Sequence, residues 1–506
     1  MADVSTDWVR LNARRFGSAP ALRNIETDER YTWAELDERV GRLAGVLASL
    51  GVGDGDRVLL LAEGDTRTFE MQFACMRLGA VMVPLNWRLA LPELIELAAD
   101  AEPAVVVHDD VWRDSAERIA EAVSVPVALS WRCDDSATDY DKALAGATPV
   151  EPRTDLPLDR PTHILHTSGT TGMPKGAITT AKSMTWQTFN TAADALLTGP
   201  GCVHLNPMPL FHAGGLTTVS APMLLTGGCV ATMRRFEPEA VAGLLSDPAQ
   251  GITHFTAPPV MWLMLSQQPT FADGDFGSLR FAQVAGGVPP LELLDTWNAK
   301  GVLLRQAYGG TELGPAVTTM PADEVYNRPA SCGRAVPFTN VRLVAPEGGD
   351  VAQGEVGEVW IKGPSVTPGY WRRDSEHDGT FVDGWFRTGD AAWCDEDGFY
   401  YLVDRFKDMY KSGGENVAPA EVERVLGAHP DIVDVAVIGV ADEKWGEVGK
   451  AFVVAREGAT LSLESLREFC AERIAKYKAP HHLVVVDSLP RNTTGKIVKA
   501  RLRELG

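Results

Sequence analysis

Residues 162–176 read T-H-I-L-H-T-S-G-T-T-G-M-P-K-G and join a short apolar run to a loop rich in glycine and hydroxyl groups. The run 162–166 predicts a strand, and the loop is expected to leave the sheet at its edge. Glycines let backbone amides approach an oxyanion, while hydroxyl groups and a lysine add donors and positive charge. The segment therefore predicts a phosphate-binding loop, with these candidate contacts: Thr167, Ser168, Gly169, Thr170, Thr171, Gly172 and Lys175.

The order of residues in this loop differs from a Walker A loop. The fifth residue after Gly169 is Pro174 where that motif needs glycine, and Lys175 is followed by Gly176 where it needs Ser or Thr. A P-loop ATPase is therefore disfavoured. A flexible polar linker is the plainer alternative, but a linker needs neither the lysine nor the strand before it.

Length and composition indicate a multidomain globular enzyme. The 506 residues exceed what one core usually supports, so two or three domains are expected. Hydrophobic residues make up 45% of the sequence and charged residues 23%, which is ordinary for a globular enzyme. No run of eighteen apolar residues occurs, so no integral membrane segment is predicted. Acidic residues near the N-terminus argue against a secretory signal, so the cytoplasm is the expected location.

The formal charge of −21 disfavours nucleic acid as a partner. An anionic ligand would then need locally placed lysines and arginines together with a metal ion. The seven cysteines lie far apart without a C-x-x-C pair, which favours reduced core thiols over a zinc site or a disulfide framework. The sequence leaves the oligomeric state open, with a homodimer as one option.

Short apolar runs alternate with helical patterns through the first part of the chain, which predicts an α/β fold of parallel-rich sheets flanked by helices. Thr32 and Glu35 form a capping-box pattern before a helix whose apolar face contains Leu36, Val40, Leu43, Leu47 and Leu50 and which ends at Gly51. The predicted strands are 58–61, 80–83, 104–107, 229–233, 252–255 and 302–304.

The pattern changes after about residue 355, where glycine- and acid-punctuated strands such as 357–362 predict a β subdomain. A small α+β domain is expected from Lys407, with helices at 419–426 and 463–474 and strands at 433–440, 451–454 and 483–486. The predicted organisation is a large N-terminal domain, residues 1–406, and a small C-terminal domain, residues 407–506.

Five further segments accompany the phosphate-binding loop. They are P-L-F-H-A-G-G at 209–215, Q-A-Y-G-G-T-E at 306–312, G-W-F-R-T-G-D at 384–390, D-R-F-K-D at 404–408 and P-R-N-T-T-G-K at 490–496. In this order the six segments resemble the adenylate-forming superfamily of acyl-CoA synthetases, 4-coumarate-CoA ligases, luciferases and adenylation domains. The resemblance extends from about residue 33 to residue 502.

This resemblance implies a two-step reaction. A carboxylate attacks ATP to give an acyl-adenylate and pyrophosphate, and the acyl group then passes to a thiol such as that of coenzyme A. Because two anions meet in the first step, positive charge or Mg²⁺ must neutralise them.

The resemblance also assigns roles around the nucleotide. Glu312 and Thr167 would hold Mg²⁺, Tyr308 would offer a face to adenine, and Asp390 and Arg405 would bind the ribose. The plainer alternatives are a surface acid for Glu312, a core residue for Tyr308 and a surface pair of Arg405 with Asp404. Further expected nucleotide contacts are Gly286, Gly287, Gln306, Ala307, Gly309, Gly310 and Thr311.

The resemblance implies that residues 1–406 form the adenylation domain and that residues 407–506 form a mobile C-terminal domain. Lys496 would be catalytic, bridging the carboxylate and the α-phosphate, whereas a solvated lysine or arginine is the default interpretation for Lys499 or Arg501. Lys407 occupies the hinge position. The thioester-forming site would use these four residues: Lys411, Ser412, Gly413 and Gly414.

The resemblance implies an acyl pocket lined by seven residues, His212, Ala213, Gly214, Gly215, Gly287, Val288 and Gly310. Their small side chains predict volume for a medium or long acyl chain or an aromatic ring. No carboxylate is present there for an α-ammonium group and no arginine for a second carboxylate, so amino acids and diacids are disfavoured. His212 would gate the pocket, with a core histidine as the alternative. Gly310 and Ala307 depart from the larger residue and the glycine usual in the family.

The sequence thus predicts an ATP-, Mg²⁺- and coenzyme A-dependent acid–thiol ligase acting on a small-molecule carboxylic acid. A freestanding adenylation enzyme that loads a carrier protein is the alternative within the same chemistry. A non-catalytic nucleotide-binding protein is the alternative of another class, although such a protein would be expected to have lost Lys496 or Glu312.

Overall fold

The computed structural model describes residues 7–132, 139–167, 174–195, 199–373, 377–405, 408–412, 415–471, 473–491 and 497–504. The chain forms two compact units. The first comprises the described residues of Met1–Thr167, Pro174–Asn340 and Lys362–Phe386, and the second those of Val341–Ile361 and Arg387–Gly506.

The first unit alternates strands and helices. Its helices are α1 (Trp8–Phe16), α2 (Trp33–Ser49), α3 (Thr66–Leu78), α4 (Leu91–Ala101), α5 (Arg113–Val123), α6 (Tyr140–Gly146), α7 (Ala181–Ala195), α8 (Ala213–Leu216), α9 (Ser220–Thr226), α10 (Pro238–Ser246), α11 (Pro259–Ser266), α12 (Pro269–Asp273), α13 (Leu291–Asn298) and α14 (His377–Thr380). Its strands are β1 (Pro20–Asn24), β2 (Arg30–Thr32), β3 (Arg57–Leu61), β4 (Val81–Pro84), β5 (Val105–Asp109), β6 (Val127–Trp131), β7 (Pro161–Thr167), β8 (Lys175–Thr180), β9 (Val203–Asn206), β10 (Cys229–Thr232), β11 (His254–Ala257), β12 (Phe281–Ala285), β13 (Leu304–Gly310), β14 (Gly314–Thr319), β15 (Arg334–Ala335) and β18 (Phe381–Val382).

Two sheets organise this unit. A six-stranded sheet has the order β6-β5-β3-β4-β7-β8, in which only the edge strand β8 is antiparallel to its neighbour. A nine-stranded sheet has the order β15-β14-β13-β12-β11-β9-β10-β1-β2, with parallel pairing from β13 to β1. In open parallel sheets, ligands bind where the strands end at their carboxyl edge. The loops after β9, β12 and β13 therefore share one edge.

The helix α2 begins as its sequence predicts. The Thr32 side chain accepts from the Glu35 amide, and the Glu35 carboxylate accepts from the Thr32 amide at 2.8 Å, which satisfies two otherwise unpaired donors. Four of the five predicted apolar-face residues are buried, but Leu50 is 42% exposed because the helix ends at Ser49.

Tryptophans fix the helices that cover the nine-stranded sheet. The Trp262 and Trp297 rings meet edge to face at 4.7 Å, and Trp297 Nε1 donates to the Trp262 carbonyl at 3.1 Å. Trp262 Nε1 in turn donates to the Gln283 carbonyl on β12 at 3.0 Å. Buried indoles with satisfied N–H groups give large packing area without an unpaired donor. Helices α11 and α13 are thereby held on β12, whose end leads to Gly286 and Gly287.

Two buried histidines make the first unit sensitive to acid. Burial lowers the pKa of His204 to about 3 and that of His163 to about 3, and neither side chain is exposed. Both are neutral in the folded state, whereas an unfolded chain protonates them below about pH 6.5. The contribution of these neutral histidines to the free energy of unfolding is therefore fully present above pH 6.5. It is lost as the pH falls from 6.5 towards 3, by about 2 kcal/mol per histidine at pH 5.

We expect His204→Leu to reduce the loss of unfolding free energy between pH 7 and pH 5 by about 2 kcal/mol. Denaturant unfolding followed by tryptophan fluorescence at both pH values measures this difference. The exposed His482 offers a matched control, His482→Leu, which should leave the pH dependence unchanged. An equal pH dependence in wild type and His204→Leu would contradict the assignment.

The second unit contains the strands β16 (Asn340–Val344), β17 (Gly357–Lys362), β19 (Trp385–Cys394), β20 (Tyr400–Arg405), β21 (Tyr410–Ser412), β22 (Glu415–Val417), β23 (Ile432–Asp442), β24 (Gly446–Ala455) and β25 (His482–Val485), and the helices α15 (Pro419–Gly427), α16 (Leu463–Ala471) and α17 (Lys499–Glu504). One sheet has the order β16-β17-β19, with β20 antiparallel to β19. The other has the order β22-β21-β24-β23, with β25 parallel to β24.

Lys499 differs from its expected solvated state. Its side chain is 13% exposed, and Nζ lies 2.9 Å from Glu423 Oε1 and 3.7 Å from Asp404 Oδ2. Asp404 also accepts from the Ala420 amide at the start of α15. Breaking a buried pair leaves an uncompensated charge, so Lys499 stabilises the packing of α17 within this unit.

Most predicted elements are confirmed within two residues, and the α/β class with a smaller C-terminal β/α part is correct. Three predictions were less accurate: the predicted strand 302–304 belongs to the longer β13, the predicted strand 451–454 belongs to the longer β24 (Gly446–Ala455), and the helix predicted at 463–474 ends at Ala471. The domain boundary between residues 406 and 407 stays a prediction, since both residues lie outside the described ones. Among the described residues, no helix is long and apolar enough to cross a bilayer.

Candidate active site

The predicted phosphate-binding loop connects β7 to its antiparallel neighbour β8. Thr167 is the last residue of β7 and lies opposite Lys175, the first residue of β8. The predicted contacts between them, Ser168, Gly169, Thr170, Thr171 and Gly172, lie outside the described residues. The strand before the loop and its position beside the edge strand β8 are confirmed.

Glu312 lies in the tight turn between β13 and β14, together with Thr311. The two strands are antiparallel, and their register shifts between Tyr308 and Gly310. A Cβ on Gly309 would lie 2.4 Å from the Pro315 carbonyl oxygen, so this close approach of two backbones requires glycine. Glycine at position 309 is thus needed to shape the turn that presents Glu312.

Two side chains donate to the Glu312 carboxylate, and Lys175 lies beside one of them. Thr167 Oγ1 donates to Glu312 Oε1 at 3.2 Å, and Tyr370 Oη donates to the same oxygen at 3.0 Å. The Lys175 ammonium lies 5.4 Å from the centre of the Tyr370 ring. The structure therefore brings together Thr167, Lys175 and Glu312, which sequence reasoning assigned to one nucleotide site, and adds Tyr370.

The chemistry of this cluster suits Mg²⁺. The ion prefers hard oxygen donors and is usually held by one or two carboxylates together with substrate phosphates and water. Glu312 and Thr167 provide a carboxylate and a hydroxyl group within hydrogen-bond distance of each other. The described residues include no cluster of three His, Cys, Asp or Glu side chains that could hold a metal without a substrate.

The other predicted nucleotide contacts of the first unit lie on or directly after β12 and β13. Tyr308 is 8% exposed, and the Gln306 side chain donates to the Pro329 carbonyl. Gly286 follows β12 with φ +83°, a conformation that favours glycine. Since β12 and β13 are parallel neighbours, Gly286 and Gly287 lie at the same sheet edge as Gly309 and Gly310. Their roles at a nucleotide, with that of Ala307 on β13, stay predictions.

The predicted acyl-binding segment follows β9 at this edge. Asn206, the last residue of β9, donates through Nδ2 to the Gly215 carbonyl at 2.8 Å and to Ser220 Oγ at 2.9 Å. These bonds hold the end of α8, which contains Ala213, Gly214 and Gly215, and the start of α9. The His212 ring contacts the Phe211 ring at 4.5 Å. Val288, after β12, is exposed.

The glycines of this segment do not all leave volume. A Cβ on Gly215 would lie 2.4 Å from the Pro209 carbonyl oxygen, so the backbone already fills that space and the volume prediction for Gly215 was wrong. A Cβ on Gly214 would meet only Met208 Cε at 4.0 Å. A Cβ on Gly287 or Gly310 would meet its nearest neighbour at an ordinary contact distance of 3.5 Å. Room for a ligand is thus compatible with Gly214, Gly287 and Gly310.

In the second unit, the predicted ribose-binding residues are direct neighbours. Asp390 on β19 lies opposite Arg405 on β20, and Arg405 Nη1 is 3.0 Å from Asp390 Oδ1. The same nitrogen donates to the Thr388 carbonyl at 2.7 Å. The alternative of a surface pair between Arg405 and Asp404 was wrong. The Asp404 carboxylate instead accepts from the Ala420 amide and lies beside the Lys499 ammonium group.

Several remaining site predictions lie outside what the structure describes. Ser412 is buried on β21, opposite Gly446, but the Lys411 side chain is outside the described atoms. The other predictions outside the described residues are Lys407, Gly413, Gly414 and Lys496.

A turn at the carboxyl edge of a parallel sheet presents the Glu312 carboxylate to Thr167. This arrangement is typical of nucleotide-binding enzymes that use a divalent cation. The comparisons agree with this class. The sequence model of the AMP-binding enzyme family matches residues 9–371, and that of the C-terminal domain of AMP-binding enzymes matches residues 421–496. The chain belongs to the family of AMP-binding enzymes.

Two relatives and one solved structure illustrate the similarity. A feruloyl-CoA synthase from Amycolatopsis sp is 37% identical over 498 residues, which cover 98% of each chain. A long-chain-fatty-acid–CoA ligase from Mycobacterium tuberculosis is 35% identical over 483 residues, covering 94% of this chain and 93% of the relative. The o-succinylbenzoate CoA synthetase from Bacillus subtilis, in complex with its acyl-adenylate intermediate, has a TM-score of 0.87 and 29% identity, with 98% of each chain covered.

These findings confirm the predicted superfamily and the enzyme class of AMP-forming acid–thiol ligases. ATP, Mg²⁺ and coenzyme A fit this family, as predicted. Sequence reasoning missed Tyr370, because a tyrosine in Gly369-Tyr-Trp371 shows no spacing or charge pattern that marks a site.

Proposed function

We propose that this chain joins an apolar carboxylic acid to coenzyme A in two steps, through an acyl-adenylate, and that the acid is aromatic. The observation that carries the proposal is the convergence of Thr167, Lys175 and Glu312 within the first unit. This set supplies a carboxylate, a hydroxyl group and an ammonium group in a segment whose sequence predicts phosphate binding.

The first-unit residues would bind and orient the triphosphate. Lys175 supplies positive charge at the phosphates, and the hydroxyl group of Thr167 supplies a donor next to Glu312. Glu312 and Thr167 would hold Mg²⁺, whose charge when bound reduces the repulsion between the triphosphate and the attacking carboxylate. The carboxylate oxygen then attacks the α-phosphorus, and the bond from that phosphorus to pyrophosphate breaks.

The second-unit residues would bind the ribose and complete the charge neutralisation. Asp390 presents two acceptor oxygens, which suit two neighbouring hydroxyl groups, and its pair with Arg405 fixes its orientation. Lys496 would stabilise the negative charge that develops between the carboxylate and the α-phosphate. Lys411 and the Ser412-Gly413-Gly414 segment would serve the second step, in which the thiolate attacks the acyl carbon and AMP leaves.

The acyl segment supports an apolar acid. The described side chains at its start are apolar or aromatic, and the Trp87 ring meets the Phe211 ring edge to face at 6.1 Å. Feruloyl and long-chain fatty acyl groups both occur in the names of relatives at similar identity. An aromatic acid is our first choice because the absence of side chains at Gly287 and Gly310 leaves room for a flat ring.

A panel of acids tests this proposal. AMP release in the presence of coenzyme A is measured with acetate, octanoate, palmitate, benzoate, indoleacetate and hydroxycinnamates. We expect kcat/KM for the best aromatic acid to exceed that for acetate by about a hundredfold or more, because burying the ring contributes several kcal/mol that acetate lacks. A preference for palmitate would replace the aromatic assignment, and the absence of AMP release with every acid would refute the function.

The acceptor is tested in the same assay. If a carrier protein were the acceptor, AMP release would depend on a phosphopantetheinylated carrier and not on free coenzyme A. We expect free coenzyme A to suffice. Two further parts of the proposal are a cytoplasmic location and the option of a homodimer, which sedimentation of the purified protein decides.

A further inference from the structure

Residues 365–371 of the first unit join two elements of the candidate site. The Thr367 amide donates to the Glu312 carbonyl at 2.7 Å. The Thr367 hydroxyl group donates to the Ile178 carbonyl on β8 at 2.8 Å, and the Ile178 amide donates to the Gly369 carbonyl at 3.1 Å. This segment is therefore bonded both to the turn that presents Glu312 and to the strand that begins with Lys175.

The backbone position of Tyr370 is fixed from both sides. Tyr370 forms a bridge with Ala177, and the Trp371 amide donates to the Gly176 carbonyl at 2.8 Å. The Trp371 indole donates to the Asp100 carbonyl at 3.1 Å, which anchors the segment on α4. Tyr370 therefore has little freedom to move away from β8.

The Tyr370 side chain touches both charged groups of the cluster. Its hydroxyl group donates to Glu312 Oε1 at 3.0 Å, and the centre of its ring lies 5.4 Å from the Lys175 ammonium. A hydrogen bond to an ionised carboxylate is among the stronger ones, and a cation within about 6 Å of an aromatic ring is attracted to its face. One side chain thus orients a carboxylate and an ammonium group that belong to separate elements.

We propose that Tyr370 is a positioning residue for the nucleotide site, which orients Glu312 through its hydroxyl group and Lys175 through its ring. The inference rests on the proposed function, since it assigns Glu312 to the divalent cation and Lys175 to the phosphates. Two separable effects follow. Loss of the hydroxyl group disturbs the cation site, and loss of the ring also disturbs phosphate binding.

Tyr370→Phe tests the first effect, because it keeps the ring and removes the donor. Mn²⁺ is used as the probe, and its affinity is measured by electron paramagnetic resonance in the presence of a non-hydrolysable ATP analogue. We expect the Mn²⁺ affinity to fall about tenfold. In pyrophosphate exchange, the Mg²⁺ concentration for half-maximal rate should rise by a similar factor, while saturating Mg²⁺ restores the rate.

Tyr370→Leu tests the second effect. Here the affinity for the ATP analogue in the absence of divalent cation should also fall, and saturating Mg²⁺ should not restore exchange. Tyr401→Phe is the matched control, since the Tyr401 hydroxyl group donates to the Asp395 carboxylate at the same 3.0 Å in the second unit. We expect that variant to bind Mn²⁺ as wild type does.

Glu312→Gln separates failure of this inference from failure of the proposed function. If Glu312→Gln weakens Mn²⁺ binding and Tyr370→Phe does not, the positioning role is overturned while the function stands. If Glu312→Gln also binds Mn²⁺ as wild type does, the cation assignment that underlies both is refuted. Equal losses in Tyr370→Phe and Tyr401→Phe would indicate a general effect on folding and would overturn the positioning role.

Discussion

Lys496→Ala is expected to lower the rate of acyl-adenylate formation by about a hundredfold or more, without unfolding the protein. The reason is electrostatic. A carboxylate approaches an α-phosphate, and removing the ammonium group leaves the developing negative charge without its donor. Pyrophosphate exchange dependent on the acid measures this step directly.

The second half-reaction provides an internal control for Lys496→Ala. Thioester formation from a preformed acyl-adenylate and coenzyme A should stay within a few-fold of wild type. Arg501→Ala, an exposed cation on α17 five residues further along, should leave both steps unchanged. Near-normal pyrophosphate exchange in Lys496→Ala would contradict the catalytic assignment.

Glu312→Gln is expected to lower adenylate formation by about a hundredfold, because a neutral amide is a poor ligand for Mg²⁺. The amide oxygen can still accept from Thr167 and Tyr370, so the turn between β13 and β14 should keep its structure. The Mg²⁺ dependence of pyrophosphate exchange, with a thermal unfolding curve of the same sample, measures both expectations.

Glu396 offers a control of the same chemistry, because it is an exposed glutamate in a turn of the second unit. Glu396→Gln should leave the Mg²⁺ dependence unchanged. If Glu312→Gln showed wild-type rates at every Mg²⁺ concentration, Glu312 would not be part of the cation site.

The parallel core was predictable because buried strands have continuous apolar sequences. The run at 58–61 lies in β3 and the run at 104–107 overlaps β5, and their hydrophobic residues are needed on both faces of a covered sheet. The α2 capping box was predictable for a local reason, since its two partners are three residues apart.

Long-range contacts of ordinary residues could not be predicted in this way. Tyr370 is 58 residues from Glu312 in sequence, and only the folded chain brings its hydroxyl group to that carboxylate. Lys499 resembles any terminal lysine until α17 places it beside Glu423. Gly215 looks like a pocket residue in the sequence because it is small and lies in the predicted acyl segment. In the structure, the Pro209 backbone takes the space that a side chain would need.

The central claim is that an oxygen of the carboxylate becomes bonded to the α-phosphorus of ATP. The most direct measurement uses an acid labelled with ¹⁸O in both carboxylate oxygens, incubated with ATP and coenzyme A, followed by mass spectrometry of the products. We predict one ¹⁸O in AMP and the other in the thioester. Unlabelled AMP, or ADP together with labelled phosphate, would contradict the acyl-adenylate mechanism.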